Sequence, residues 1–340
     1  MLEQPQSVGG VPDVSLGNEA EPIATVEPLA TRRIHLDTDI GGDIDDLDAL
    51  AMVLRWPGAE LLGVTTVLED AGKRAGYARY VLDLVGRSDV PVAAGADVAS
   101  GHYRVSGGVH AADYWPERID PRPGRLEDAL TLLERSIEMG ATIVAIGPYT
   151  NLALLEERHP GILREASICL MGGYLWPPRQ GYPPFGNRMD WNVQEDALSA
   201  YRVFQASRPT MVPLTVTVET TLRRAYVPRL WRGDALCQML ARQAEACARD
   251  EGNEAKFGLA CDGLPNDTIN FLHDPLACAV ALGWRDGVEL RDVTMAVTLE
   301  GGWLHERAAA EGTPARVVTG VDARRFESLW LEIVLAGQEL

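Results

Sequence analysis

The chain has 340 residues, 46% of them hydrophobic and 24% charged, which is typical of a globular protein large enough for a sizeable core. Its 49 acidic and 31 basic residues give a net charge of -18, and this excess disfavours binding to nucleic-acid polymers, whose phosphates attract basic surfaces. The five cysteines lack CxxC spacing, so neither a disulfide framework nor a zinc site is expected.

The N-terminal segment differs in composition from the rest of the chain. Residues 1–30 are poor in large apolar side chains and rich in Pro, Gly and Glu, which predicts a flexible tail. They lack the order of a secretory signal, and no later run approaches eighteen apolar residues. We therefore expect a cytoplasmic location, no membrane association, and one domain over residues 31–340.

After the tail, short apolar runs alternate with amphipathic helical patterns. The predicted strands are RIHL, AELLGVTTV, VPVAAG, ATIVAIGP, ASICLMGG and TMVPLTV. The predicted helices between them are DLDALAMVLRW, KRAGYARYVLDLVGR, LEDALTLLERSIEMG, NLALLEERHPGIL and EDALSAYRVFQAS. This alternation predicts an α/β fold with a mostly parallel central sheet flanked by helices. Ligands of such sheets bind beyond the carboxyl ends of the strands.

Acidic residues are crowded directly after the first predicted strand. Six aspartates fall between Asp37 and Asp48, and carboxylates so close together repel one another. Calcium suits such a cluster because it binds several oxygen ligands in flexible geometry. An EF-hand is disfavoured because the segment follows a strand, and a phosphotransfer site is disfavoured because Gly41 replaces the expected hydroxyl. A solvated acidic loop remains an alternative for the cluster alone.

Three further stretches combine with this cluster: AIGPYTNLA, MDWNVQEDA with Asp190 and Asn192, and NFLHDPLACAVAL with His273 and Asp274 before a helix-starting proline. In this order, the four stretches resemble the inosine-uridine-preferring nucleoside hydrolase family. The resemblance covers nearly the whole chain after the tail, and the pairing of D-T-D…D-D with H-D-P is specific.

The resemblance implies a nucleoside hydrolase-like catalytic domain with a Rossmann-like core. Such an enzyme would hydrolyse the N-glycosidic bond of a ribonucleoside or modified nucleoside to free base and sugar. It would use water positioned by calcium and would assemble as a homo-oligomer, either a dimer or a tetramer. Its partner would be a small-molecule nucleoside.

The resemblance also implies roles for individual positions. The calcium ligands would be Asp39, Asp46, Asp274 and the backbone carbonyl of Thr150. The catalytic residues would be Asp39 as general base, with His273 and His110 near the leaving base. The substrate contacts would be Asp45 and Asn192 at the ribose hydroxyls, Asn187 and Asp190 at the sugar 5′ end, and Asp70 at a position where the family usually has asparagine.

The chemistry is consistent with these residue types. Cleavage of the glycosidic bond passes through an oxocarbenium-like state, which nearby carboxylates stabilise. Calcium is a weak Lewis acid, so the attacking water still needs a carboxylate to accept its proton. The aromatic residues after the fifth strand are candidates either to stack on the base or to pack within loops: Tyr174, Trp176, Tyr182 and Trp191.

The sequence also departs from the family pattern. The first loop, IGGDI, is two residues longer, VLED replaces a Gly-Asn pair, and Asp190 stands where the family has glutamate, at a shorter spacing from Asn187. These departures leave the base and the sugar open. Two functions from other classes also remain: a non-catalytic calcium- or nucleoside-binding protein, and a magnesium-dependent phosphohydrolase.

Overall fold

The computed structural model describes residues 31–98, 109–110 and 112–336, so the predicted flexible tail over residues 1–30 lies outside the described residues. The strands are β1 (Arg32–Thr38), β2 (Ala59–Thr66), β3 (Val92–Ala94), β4 (Thr142–Ala145), β5 (Ser167–Met171), β6 (Thr210–Val212), β7 (Thr221–Arg223), β8 (Thr268–Phe271), β9 (Val288–Glu300), β10 (Trp303–Ala308) and β11 (Thr313–Val321). The α-helices are α1 (Asp45–Arg55), α2 (Lys73–Leu84), α3 (Leu126–Glu138), α4 (Thr150–Arg158), α5 (Ile162–Glu165), α6 (Trp191–Gln194), α7 (Ala197–Ala206), α8 (Leu214–Thr217), α9 (Val227–Leu230), α10 (Ala235–Glu251), α11 (His273–Ala281) and α12 (Ala323–Leu335). Short 3-10 turns cover Ala112–Tyr114, Asn187–Met189 and Arg224–Tyr226, and a π-helical turn covers Glu254–Gly258.

A nine-stranded sheet organises the chain, in the order β10-β9-β11-β6-β5-β4-β1-β2-β3. The seven neighbouring strands β11-β6-β5-β4-β1-β2-β3 pair in parallel, whereas β9 is antiparallel to both β11 and β10. The predicted α/β fold with a mostly parallel sheet is therefore confirmed. The order β3-β2-β1-β4-β5-β6 is that of a doubly wound sheet, in which the connections reverse direction between β1 and β4 and open a crevice for ligands.

Two predicted elements are wrong at proline residues. The pattern TMVPLTV predicts one strand, but β6 ends at Val212 and α8 begins at Leu214, because Pro213 has no N–H for a strand ladder. The pattern NLALLEERHPGIL predicts one helix, but α4 ends at Arg158, two residues before Pro160, and α5 begins at Ile162.

Helix α1 places acidic groups inside the protein. It is buried from Asp45 to Val53 and packs against α11 and α12. Its apolar residues, among them Leu47 and Leu50, belong to the main core. Because α1 is buried in this way, Asp45 and Asp46 in its first turn lie at the carboxyl edge of the sheet. The N-terminal end of the helix dipole favours negative charge there.

Residues 213–287, between β6 and β9, add a second structural layer beyond that edge. They include α8 to α11 and the antiparallel pair β7-β8. Strand β8 leads into α11, which packs against β5 and α1 and brings its first residues to the carboxyl ends of the parallel strands. Within the described residues, the helices are too short or too polar to cross a bilayer.

Candidate active site

A cavity of about 570 Å³ lies at the carboxyl ends of the parallel strands. Its walls include residues that follow β1, β2, β4 and β6, and the last residue of β5, as expected at the reversal point of a doubly wound sheet. Eight of the predicted site residues line it: Asp39, Asp45, Asp46, His110, Asp190, Asn192, His273 and Asp274.

Three carboxylates form the tightest acidic group in the described residues. Asp45, Asp46 and Asp274 are buried, and one oxygen from each lies within 4.8 Å of the others. The Asp274 N–H donates to Asp45 Oδ2 at 3.3 Å, and the Thr38 hydroxyl donates to Asp46 Oδ1. Burial, followed by repulsion from neighbouring aspartates, raises the pKa of all three carboxyl groups well above the usual range. A buried, oxygen-only set of this kind fits a hard divalent cation, which would offset the negative charge.

Asp39 lines the same cavity beside this group. An added Cβ at Gly147 would lie 2.8 Å from Asp39 Oδ1, so glycine is required for the close approach of the loop after β4. Burial raises the pKa of the Asp39 carboxyl, and the positive charge of Arg74 opposes that rise. By contrast, Asp37 and Asp48 do not belong to the lining: Asp37 accepts hydrogen bonds from Thr65 on β2 and from Asn151 on α4.

Arg74 is a cavity residue that the sequence reasoning missed. It is only 3% exposed, and its guanidinium donates to the backbone carbonyls of Asp39, Ile40 and Leu68. Leu68 has a φ of +48°, which is unusual for a residue with a side chain and indicates a constrained turn. The sequence did contain a signal for this role. Arg74 lies in the first turn of α2, where the helix dipole disfavours a basic residue, so its presence there needs another reason.

His273 begins α11 at the cavity. Its Nδ1 lies 2.6 Å from the hydroxyl oxygen of Thr217, which leaves Nε2 as the ring nitrogen available to a ligand. Burial lowers the pKa of His273 to about 3, so the ring is neutral near pH 7. The Thr217 hydroxyl has one proton and two acceptors within reach, the His273 Nδ1 at 2.6 Å and the Leu214 carbonyl at 3.2 Å. When that proton is donated to the closer Nδ1, the proton of the neutral ring is on Nε2, and His273 then offers a hydrogen-bond donor to the cavity.

His110 is half-buried on another side of the cavity. Its ring stacks on Tyr114 with 4.0 Å between centroids and 5° between planes, and its backbone N–H donates to the Gly41 carbonyl at 2.7 Å. Burial lowers the pKa of the His110 ring, against the opposing effect of Asp43 and Glu251. His110 is thereby tied to the long first loop.

Asn192 and Asp190 line the cavity beyond β4 and β5. The Nδ2 of Asn192 donates to the carbonyls of Ile146 at 2.9 Å and Met171 at 3.2 Å, so its Oδ1 remains as an acceptor. Asp190 caps α6: its two oxygens accept from the N–H groups of Gly173 at 2.5 Å and Val193 at 3.3 Å. Burial raises the pKa of Asp190 to about 6.

Three predicted site residues are not brought to the cavity. Asp70 is exposed and pairs with Lys73 at 2.6 Å. Thr150 starts α4, and its hydroxyl donates to Asp196 at 2.8 Å; the residue of that segment that does line the cavity is Ile146. The Nδ2 of Asn187 donates to the Leu304 carbonyl on β10 at 2.9 Å.

The aromatic wall of the cavity also differs from the prediction. Of the four aromatic candidates only Trp191 lines it. Phe185, Phe257 and Phe271 line it instead and contact one another, with ring centroids 5.4 to 6.1 Å apart. These three phenylalanines come from distant segments, so the sequence offered no pattern that groups them.

Such a fold, with an all-oxygen acidic group beside an aromatic wall, is that of a nucleoside hydrolase. The family model of the inosine-uridine preferring nucleoside hydrolases matches residues 34–328, and the chain belongs to that family. The predicted family is thus confirmed.

Several known proteins are similar to the chain. An uncharacterized protein of Schizosaccharomyces pombe is 31% identical over 258 residues, covering 72% of this chain and 77% of that protein. The pyrimidine-specific ribonucleoside hydrolase RihA of Shewanella woodyi is 31% identical over 215 residues. The match covers 59% of this chain and 65% of that enzyme, which is just under two thirds of its length. Among solved structures, a purine-preferring ribonucleoside hydrolase from Gardnerella vaginalis superposes with a TM-score of 0.72 at 25% identity, covering 90% of this chain and 98% of that one.

Proposed function

We propose that residues 31–340 act as one catalytic domain that hydrolyses the N-glycosidic bond of a ribonucleoside to free base and sugar, with calcium as the metal and Asp39 as the general base. The observation that supports this most is the convergence of Asp39 with the buried group of Asp45, Asp46 and Asp274 in one cavity. Family membership supports the reaction class.

The proposed metal site uses the carboxylates of Asp39, Asp46 and Asp274. Thr150 lies outside the cavity lining, so the backbone oxygen that we propose is the carbonyl of Ile146, which lines the cavity and retains a lone pair beside its bond from Asn192. Calcium, when bound, would offset the buried negative charge and orient a water and a vicinal diol.

The chain's own residues would then handle the sugar and the water. Asp39 accepts the proton of the attacking water. Asp45 and the free Oδ1 of Asn192 accept hydrogen bonds from ribose hydroxyls. As the bond to the base breaks, positive charge develops on the sugar, and the carboxylates around it stabilise that charge most strongly in the transition state. Attack by one water inverts the anomeric carbon.

His273 is proposed to assist departure of the base. In the tautomer in which the Thr217 hydroxyl donates to Nδ1, the Nε2–H of His273 would donate to the leaving nitrogen. His110, stacked on Tyr114, is proposed to border the base from the first loop. Both rings line the cavity, and both are kept neutral by burial, which lowers their pKa values.

One assay tests the reaction directly. A panel of natural and modified nucleosides is incubated with the enzyme in calcium and in excess chelator, and free base and free sugar are measured separately. Equal amounts of both products, formed only with calcium, are expected, and NMR of the first-formed sugar should detect the inverted anomer. Binding of a nucleoside without release of either product would contradict the proposal.

The family resemblance also supports a cytoplasmic homo-oligomer, either a dimer or a tetramer. Light scattering on the purified full-length chain measures the assembly, and a monomer at micromolar concentration would contradict this part of the proposal without affecting the reaction.

A further inference from the structure

One end of the cavity is built by the C-terminal end of α10, the π-helical turn and β8. Asp43, Glu251, Asn253 and Asn270 line it there. His273 lies two residues after β8, and its ring centroid is 5.2 Å from that of Phe271. Under the function proposed above, on which this inference rests, this end therefore faces the leaving base.

Asp43 presents a free oxygen at this end. Its Oδ1 accepts from the Ile44 N–H at 2.6 Å and from the Asn270 Nδ2 at 2.6 Å. Its Oδ2 makes no hydrogen bond with any part of the chain that the structure describes. The side chain lines the cavity, and in its ionised form it only accepts hydrogen bonds. Burial raises the pKa of the Asp43 carboxyl, and the bonds from Ile44 and Asn270 oppose that rise because they stabilise the ionised form. Asp43 also falls in the first loop, the loop that is longer than the family pattern.

Two asparagine amides are oriented so that the oxygen of each accepts no hydrogen bond from the residues that the structure describes. The Nδ2 of Asn253 donates to the Ile269 carbonyl at 3.0 Å, and the Nδ2 of Asn270 donates to Asp43. Because a carbonyl or a carboxylate can only accept, these bonds fix which amide atom is nitrogen. Asn253 is 8% exposed and lines the cavity, so its Oδ1 is an acceptor on the cavity wall.

The basic groups near this end are already engaged or uncharged. The ammonium of Lys256 lies 3.6 Å from a carboxylate oxygen of Glu251, and both side chains are about half exposed. The His110 ring is neutral because burial lowers its pKa. Hydrogen-bond acceptors and negatively charged groups therefore dominate the polar lining at this end of the cavity.

We propose that this end selects a base whose facing edge carries an exocyclic amino group, as in cytosine or adenine, over the carbonyl analogues uracil and hypoxanthine. An amino group donates to Asp43 Oδ2 and to the asparagine oxygens. A carbonyl oxygen at the same place faces acceptors and leaves them unpaired, which disfavours that base.

Two matched substrate pairs test the proposal: cytidine against uridine, and adenosine against inosine. Each pair exchanges an exocyclic amino group for a carbonyl, and with it the neighbouring ring nitrogen changes from an acceptor to an N–H donor, so the preference reports which of the two positions faces Asp43. We expect kcat/KM to favour the amino member by about ten- to a hundred-fold, the usual effect of a hydrogen bond to a charged group.

The Asp43→Asn variant tests the assigned residue. Its amide oxygen can keep the bonds from Ile44 and Asn270, which turns its NH₂ group toward the ligand, so the preference should fall at least about tenfold or reverse. Glu251→Gln, a second variant for the same end, should lower the preference less. Asp286→Asn is the matched control, because Asp286 is exposed, pairs with Arg325 at 2.7 Å and is not among the described lining residues. Its ratios should equal those of the unmodified enzyme.

The outcomes separate this inference from the reaction itself. Base release from uridine and inosine as fast as from cytidine and adenosine would overturn the selectivity and leave the proposed function standing. A preference that Asp43→Asn and Glu251→Gln do not change would overturn the assignment to these residues. No base release from any nucleoside of the wider panel would overturn the proposed function.

Discussion

The guanidinium of Arg74 donates a hydrogen bond to the backbone carbonyl of Asp39, the residue that we propose as general base. The same guanidinium donates to the carbonyls of Ile40 at 3.2 Å and Leu68 at 2.8 Å. These carbonyls follow β1 and β2, so one buried cation holds the loops after two neighbouring strands in a fixed relation. The position of the Asp39 side chain depends on that relation.

Replacing Arg74 with lysine should lower kcat about 10- to 100-fold, because a single ammonium cannot span three carbonyls and small misplacements of a catalytic group are costly. Steady-state kinetics measures the effect. Arg79→Lys is the matched control: Arg79 also donates to backbone carbonyls, those of Val90 and Arg87, but away from the cavity. Unchanged kcat in Arg74→Lys would remove Arg74 from the positioning role.

Replacing Asp39 with asparagine should lower kcat by about 10²- to 10⁴-fold, the usual effect of losing a general base, with a further loss if metal binding weakens. Asp70→Asn, the same change at an exposed residue paired with Lys73, should keep near-normal kcat. A comparable loss in Asp70→Asn would restore the role that the family resemblance gave to Asp70 and contradict its placement.

Chelation should abolish turnover reversibly and lower the melting temperature, because a ligand that binds only the folded state stabilises it by mass action. The affinity for calcium should fall as the pH is lowered. Burial and mutual repulsion raise the pKa values of Asp45, Asp46 and Asp274, so protons compete with the cation at a higher pH than for ordinary carboxyls. Calorimetric titration between pH 6 and 8 measures this trend. Equal melting temperatures with and without calcium would argue against the site.

Thr217→Val should slow natural nucleosides more than an activated aryl riboside. Without the hydroxyl at Nδ1, the His273 proton is no longer held on Nε2, and only a poor leaving group needs that proton. Thr220→Val is a suitable control, because the Thr220 hydroxyl donates to the Thr217 carbonyl at 2.9 Å and has no bond to the histidine. His273→Ala should reproduce the selective loss, and equal losses on both substrate types would exclude the acid role.

The sugar 5′ end should be recognised weakly. Both oxygens of Asp190 already accept backbone N–H groups, and Asn187 is bound to β10 outside the described lining. A site built around a hydroxyl rejects analogues that lack it, but here the polar groups have other partners. We expect the 5′-deoxy analogue of the best nucleoside to retain kcat/KM within about tenfold, and a 5′-phosphate to be resisted by the acidic surroundings. A fall in kcat/KM of several orders of magnitude for the deoxy analogue would show that the site does bind the 5′-hydroxyl specifically.

Features encoded by local patterns could be predicted from the sequence. Strands β1 to β5 and the acidic first turn of α1 follow from apolar runs and helical spacing, and the carboxyl edge of the sheet then brings Asp39 and Asp46 together. Thr150 lies outside the cavity lining because it is four residues beyond Ile146 and already begins α4. Asn187 was misplaced because its partner, Leu304, is a residue of the distant strand β10. Such contacts depend on tertiary packing, which no short pattern contains.

The aromatic contacts among Phe185, Phe257 and Phe271 have a consequence for changing the enzyme. The cleaving groups Asp39, Asp45 and Asp46 belong to the edge of the large sheet, whereas this wall is assembled from segments that lie outside that sheet. Phe185 and Phe257 lie outside the strands, so substitutions there leave the strand ladders and the acidic group in place, whereas Phe271 pairs with Thr221 on β7 and its ring centroid is 5.2 Å from that of His273. Recognition of the base can therefore be varied at Phe185 and Phe257 while the cleaving groups are kept, and these two positions are the part of the wall to diversify when a library is built to turn this scaffold toward unnatural nucleosides.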